Sequence, residues 1–282
     1  MTAARVEHSE DISGDMIGDV SGASAGRREM DGARTCLLII DVQPEYWTNC
    51  EPVRADFPDF PDRCCRTIAT ARHMGCTVIW VRADYRSEHS PWLEQFQRLH
   101  AGKKQIQTPC ETGSLAWECF ATPLEGEAMI PKSSWAATLG GAGSQLVPHL
   151  RSLGCETVLV CGLITSVCVT QTAFGIFEAG FRTLVVEDAC ADRGRARHEA
   201  AISLYGNYMY ELVSVAELER EAALQPAGAK QFARQVPTNA PHVLARPAPL
   251  QTTTSGRRAL LAGAAVAVGV AALARACKGR PT

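Results

Sequence analysis

Short apolar runs and glycine-closed amphipathic stretches alternate through the middle of the chain. The first run, TCLLIIDV, begins at Thr35 and is apolar on both faces up to Asp41. Such a run suits a strand of a parallel sheet covered by helices on both sides. A helical stretch from about Asp62 to Met74 ends at Gly75 and feeds the β-branched run CTVIWVR. A long irregular section from Ala83 to Glu127 follows, then a short strand around AMIP. A helix from about Gly143 to Leu153 leads to the strand ETVLVCG, and a helix from Ser166 to Glu178 leads to FRTLVVED. A last helix over about Arg195 to Tyr208, the strand YELVSV and AELERE complete the pattern. This alternation predicts an α/β fold: a three-layer α/β/α arrangement around a six-stranded, mainly parallel, doubly wound sheet.

The flanks read differently. Residues 1–33 are polar, Gly/Ser-rich and aperiodic, and are expected to be a disordered extension before a catalytic domain over 34–221. Residues 222–258 turn to Ala, Pro, Gln and Thr, the composition of a flexible linker. Residues 259–276 include ALLAGAAVAVGVAALA between basic ends. That run is somewhat short of the roughly 20 residues of a spanning helix. It fits a tail anchor on an intracellular membrane, a surface helix or an unstructured Ala-rich end, and its lack of a polar stripe speaks against an amphipathic surface helix.

Composition narrows the classes of function. With 46% hydrophobic residues and a net charge of −2, the chain can bury a sizeable core and gives no support for a nucleic-acid partner. Its twelve cysteines follow no zinc-binding spacing, and several lie inside apolar runs, such as Cys36 and Cys161. The N-terminus carries early acids and no apolar core, unlike a secretory signal. A cytoplasmic, reducing compartment is the expectation.

In doubly wound sheets the ligand crevice lies at the carboxyl ends of the strands. That singles out Asp41, Asp84, Lys132, the Gly162–Cys168 turn and Asp188. In the turn CGLITSVCVTQ, Cys168 falls in the first turn of the expected helix, where free N–H groups and the helix dipole favour a thiolate and an oxyanion. Thr165 or Ser166 is expected to cap that helix. Asp41 is placed to accept the thiol proton, and Lys132 to balance the charge. Taken alone, each has a blander reading as a buried thiol, a turn residue or a solvated charge. Their joint position at three strand ends argues for acyl transfer.

The segments that carry these residues also resemble a known family. LLIIDVQPEYW, IPKSSWAAT and CGLITSVCVTQTAFGIFEAGFRTLVVEDAC are similar, in that order, to the motifs of isochorismatase-like cysteine hydrolases. That family includes nicotinamidases, N-carbamoylsarcosine amidases and isochorismatases. The resemblance implies Asp41 as base, Lys132 as its charged partner and Cys168 as nucleophile. It implies a cis peptide between Leu163 and Ile164, and an oxyanion hole from the backbone N–H groups of Ile164 and Cys168. Tyr46 matches a pocket-lining aromatic, and Trp135 is a further pocket candidate. No metal or other cofactor is expected: in RADYRSEHSPW, Asp84 and His89 remain of a nicotinamidase-type site, but Arg86 stands where a histidine ligand is expected. Ser166 replaces the acid common two residues before the nucleophile. Arg195, Arg197 and His198 read as a solvated helix start rather than an anion site. The resemblance further implies a homo-oligomer acting on a small-molecule substrate. The functional expectation is a cysteine amidohydrolase. The alternatives are a vinyl-ether hydrolase using Asp41 and Lys132 alone, and an idle relative that binds a metabolite at a membrane.

Overall fold

The computed structural model describes residues 29–86, 90–101, 116–139 and 145–224. The N-terminal extension up to residue 28, His89, the linker beyond residue 224 and the apolar segment 259–276 lie outside the described residues. Among the described residues no helix is long and apolar enough to cross a membrane.

Six strands form one sheet: β1 (Thr35–Ile40), β2 (Thr77–Ala83), β3 (Ala128–Lys132), β4 (Thr157–Leu163), β5 (Arg182–Ala191) and β6 (Glu211–Val213). Their order is β3-β2-β1-β4-β5-β6, and every pairing is parallel. All six residues of β1 are buried, as its two-sided apolar pattern requires. The strand order reverses direction beside β1, between its neighbours β2 and β4. A crevice opens at such a switch point because consecutive crossovers leave on opposite faces.

The helices are α1 (Glu51–Asp56), α2 (Phe60–His73), α3 (Leu93–His100), α4 (Leu146–Ser152), α5 (Thr170–Glu178), α6 (Arg195–Tyr205) and α7 (Val215–Leu224). In α2, Phe60, Cys64, Thr67, Ile68 and Ala71 are buried, the i, i+4, i+7, i+8, i+11 spacing of one helical face. Pro61 opens this helix, and Gly75 closes it at φ +78° while the Cys76 N–H reaches back to Ala71 O at 2.9 Å.

Three boundaries differ from the sequence expectation. The section from Ala83 to Glu127 is not wholly irregular, since α3 lies within it. Strand β5 runs on to Ala191, with an irregularity where Val160 pairs with Val185 but Gly162 pairs with Cys190. Asp188 therefore lies inside the strand, where it takes up Arg63 at 2.5 Å and the Val215 N–H at 2.8 Å. Asp192 is the acid at the strand's end. The expected helix at Ser166 opens as a π-helical turn, Thr165–Val169, before α5 begins.

Gly162 sets the spacing beneath that turn. Its φ is +121°, and a Cβ built on it would lie 2.2 Å from Ile40 O of the neighbouring strand. Any side chain would force β1 and β4 apart at the crevice. Gly162→Ala is expected to cost about 3 kcal/mol or more of folding stability in urea denaturation, because overpacking and a forbidden φ combine. A change within experimental error would contradict this packing.

Candidate active site

Three strand ends meet at the switch point. Asp41 follows β1 with φ 51°, a left-handed conformation uncommon outside glycine. Its turn is closed by the Gln43 N–H on Asp41 O at 2.8 Å. The Gln43 side chain then accepts from the Ala83 N–H at 2.7 Å and donates to Ala83 O at 3.4 Å, tying β1 to β2. Held strain of this kind concentrates at functional sites.

Lys132 ends β3, and its side chain is completely buried. Its Nζ lies 2.9 Å from Asp41 Oδ2, 3.3 Å from Cys168 Sγ and 3.2 Å from Ser134 O, and it donates to Tyr85 Oη. Cys168, itself buried, sits in the π turn, whose wider winding shows in the Val169 N–H on Ile164 O at 3.2 Å. The peptide between Leu163 and Ile164 is cis. Asp41, Lys132 and Cys168 are thus brought together.

The turn's end is not capped by its own side chains, since neither Thr165 nor Ser166 fills that role. Instead Asp192 accepts from the Ser166 N–H at 2.6 Å with one carboxylate oxygen and from the Arg193 N–H at 2.7 Å with the other. Asp192, one residue past β5, thus ties the turn to the neighbouring strand. Thr165 meets His198 Nδ1 through its hydroxyl at 2.9 Å and accepts from Thr170 Oγ1 at 2.7 Å through its carbonyl.

Burial governs the electrostatics. It pushes the Asp41 carboxyl above its usual range, against the pull of Lys132. It also works against the Lys132 ammonium, but the Asp41 and Cys168 charges outweigh it and hold that proton more firmly. The Cys168 thiol is pushed up to about 11, chiefly by burial, with Lys132 opposing and Asp41 assisting. Burial thus opposes the thiolate that the helix-start position was expected to favour.

Other expected site residues divide. Trp135 lines a cavity of about 330 Å³ with Trp92, Phe96, Leu99, Leu139 and Gln171. Its wall touches the catalytic cluster through Ser134, whose carbonyl Lys132 holds, and through Trp92, whose ring centroid lies 5.0 Å from that of Tyr85. Tyr46 is buried and borders neither described cavity. Asp84 is gripped by Arg86 through two hydrogen bonds, at 2.7 and 2.6 Å. Among the described residues no group of three or more His, Cys, Asp or Glu side chains is arranged to hold a metal ion. Arg195 binds Asp56 and lies over the Phe57 ring, and with His198 it borders a smaller cavity of about 150 Å³.

Two residues near the cluster carried no signal in the reading of strand ends. Tyr85, two residues past β2, is buried with its hydroxyl 3.5 Å from Cys168 Sγ. Arg82 is buried over the Trp117 ring, 5.8 Å away, and its charge favours the ionised Asp41.

A family model described as the isochorismatase domain matches residues 35–217. The chain belongs to the isochorismatase family. It is 29% identical over 188 residues to a maleamate amidohydrolase of Pseudomonas putida, an alignment covering 64% of this chain and 85% of that protein. Its fold is similar to that of a cysteine hydrolase from Pseudomonas syringae pv. phaseolicola, with a TM-score of 0.57 and 19% identity over 70% of this chain and 96% of that one. An N-carbamoylsarcosine amidase from Thermoplasma acidophilum shares the fold with a TM-score of 0.51 and 20% identity, covering 65% of this chain and 98% of that one. This chain is accordingly a hydrolase of the isochorismatase family, with Asp41, Lys132 and Cys168 all inside the matched region.

The raised thiol has a measurable consequence for stability. A group whose folded-state pKa lies above its unfolded value contributes stability that is complete below the unfolded value and lost as the pH rises through the folded one. For Cys168 that window runs from 9.0 to about 11. Wild type is expected to lose roughly 2–3 kcal/mol more than Cys168→Ala between these limits, measured by urea denaturation at both ends of the window. Equal losses would show that the thiol is not perturbed by burial.

Proposed function

We propose that the chain hydrolyses a small, non-peptide amide through a thioester on Cys168. One observation carries this reading: a buried thiol lies 3.3 Å from a buried ammonium that is itself 2.9 Å from a buried carboxylate. Asp41 removes the thiol proton as the sulfur attacks the amide carbonyl, and its raised pKa makes it a better match for that proton. Lys132 keeps its charge throughout and stabilises the sulfur as its negative charge develops. The backbone N–H groups of Ile164 and Cys168 hold the oxyanion. The amine leaves with the proton carried by Asp41, and water then attacks the thioester, with Asp41 again as base. No metal takes part in this sequence, and the acid after β2, Asp84, is engaged by Arg86.

The amidohydrolase and amidase among the relatives support amides as the substrate class. The acyl part would enter the cavity beside Ser134, whose described lining is mostly aromatic and aliphatic and includes the side chains of Trp92, Phe96 and Trp135.

Ammonia release from a panel of primary amides and ureides, including maleamate, nicotinamide and N-carbamoylsarcosine, tests the reading. Wild type is expected to turn over at least one compound. Cys168→Ala should then fall by more than about 10³-fold, and Asp41→Asn by about 10²–10⁴-fold. Retained turnover in Cys168→Ala would overturn the thioester route and favour ether hydrolysis by Asp41 and Lys132, with isochorismate the compound to try. Trp135→Ala is expected to raise KM about 10-fold with a smaller effect on kcat, as lost ground-state binding does. An unchanged KM would place the acyl group elsewhere.

A further inference from the structure

Counting protons around Lys132 exposes a shortfall. An ammonium has three hydrogens to donate. Four acceptors lie in reach of its Nζ: Asp41 Oδ2, Tyr85 Oη, Ser134 O and Cys168 Sγ. One acceptor is therefore left without a Lys132 proton at any instant. Tyr85 brings a further donor within reach of two of these acceptors. Its oxygen receives a proton from Lys132, so its own O–H is free to point elsewhere. The two acceptors it can reach are Cys168 Sγ and Ser134 O, each 3.5 Å away.

We propose that Tyr85 is a further catalytic residue, a phenol that donates its hydrogen bond to the Cys168 sulfur as negative charge forms there. With the thiol neutral, the sulfur is a weak acceptor, and the O–H rests on Ser134 O. As Asp41 takes the thiol proton, the O–H turns to the sulfur, whose other donor is Lys132. No bond to the phenol proton breaks: Tyr85 begins and ends each step as a neutral phenol. Burial and the neighbouring Cys168 and Asp41 charges hold its proton well above the ordinary range, so it stays a donor. In the second half of the reaction the same thiolate departs from the acyl carbon, and the same hydrogen bond stabilises it. Apolar surroundings strengthen such a charge-assisted bond, because water does not compete for the sulfur.

The setting of Tyr85 supports a chemical role. The ring is wedged edge-on against Trp92, with centroids 5.0 Å apart, and Lys132 Nζ lies 4.7 Å from its own ring centre. Those contacts would survive loss of the hydroxyl alone, which separates the chemistry from the packing. The inference takes from the proposed function only that Cys168 is the nucleophile. Its test therefore reads the thiol directly and needs no substrate.

The experiment is the pH dependence of alkylation of Cys168 by iodoacetamide, followed by mass spectrometry of its peptide so that other cysteines do not interfere. In Tyr85→Phe the midpoint should move upward and the rate near neutral pH should fall about 10-fold, the scale of one hydrogen bond to a charged group. Site-specific 3-fluorotyrosine at position 85 keeps ring and hydroxyl but makes a stronger donor, and should move the midpoint downward. Opposite shifts in the two variants support the proposal. If Tyr85→Phe does not fold, the fluorotyrosine variant alone decides. An unchanged alkylation profile in a folded Tyr85→Phe, or no downward shift with fluorotyrosine, overturns it. Failure to find an amide substrate would count against the proposed function and leave this result standing.

Discussion

A buried ion pair organises the site: Lys132 Nζ against Asp41 Oδ2 at 2.9 Å, both side chains essentially without solvent. Two ions so enclosed are costly unless each serves the other, and removing one partner typically costs about 3–5 kcal/mol. The pair therefore constrains both strand ends. Asp41 is held in a left-handed turn after the central strand, and Lys132 reaches across from the edge strand β3, beneath the residues that follow β2. Cys168 shares the same enclosure, and in the proposed mechanism its thiol gives its proton to Asp41 when it reacts. Keeping water out raises both proton affinities together, which leaves a workable transfer between them.

The fold supplies the rest. A doubly wound sheet brings β1 and β4 together at its switch point and sends their chains to opposite faces. Gly162 lets the two strands approach closely just below the nucleophile turn. Asp192, at the end of the extended β5, receives the Ser166 amide and anchors that turn from outside. The cavity bounded by Trp92 and Trp135 includes Ser134, whose carbonyl Lys132 holds. Geometry, charge and access thus converge on one end of the sheet.

Much of this was legible in the sequence because it rests on strong local signals. Two-sided apolar runs located the strands, glycines marked several helix ends, and the strand-end rule singled out Asp41, Lys132 and Cys168. What escaped has identifiable causes. Asp188 was read as a strand end because no propensity marks how far a strand continues past an irregularity. The π turn at Thr165–Val169 depends on tertiary hydrogen bonds, so an ordinary helix start was the natural expectation. The rise in the Cys168 thiol's pKa comes from burial, which acts through surroundings that a linear reading does not contain. Tyr85 carries no local signal of a role in the sequence. Its meaning depends on a lysine 47 positions away and a cysteine 83 positions away.

The most direct test of the account is acid-quench mass spectrometry of the Cys168 peptide during turnover of an amide that the wild-type chain hydrolyses. The account predicts an acyl adduct on Cys168 that forms within the first turnover and disappears when substrate is exhausted. Steady hydrolysis with no adduct on Cys168, together with undiminished hydrolysis by Cys168→Ala, would contradict it.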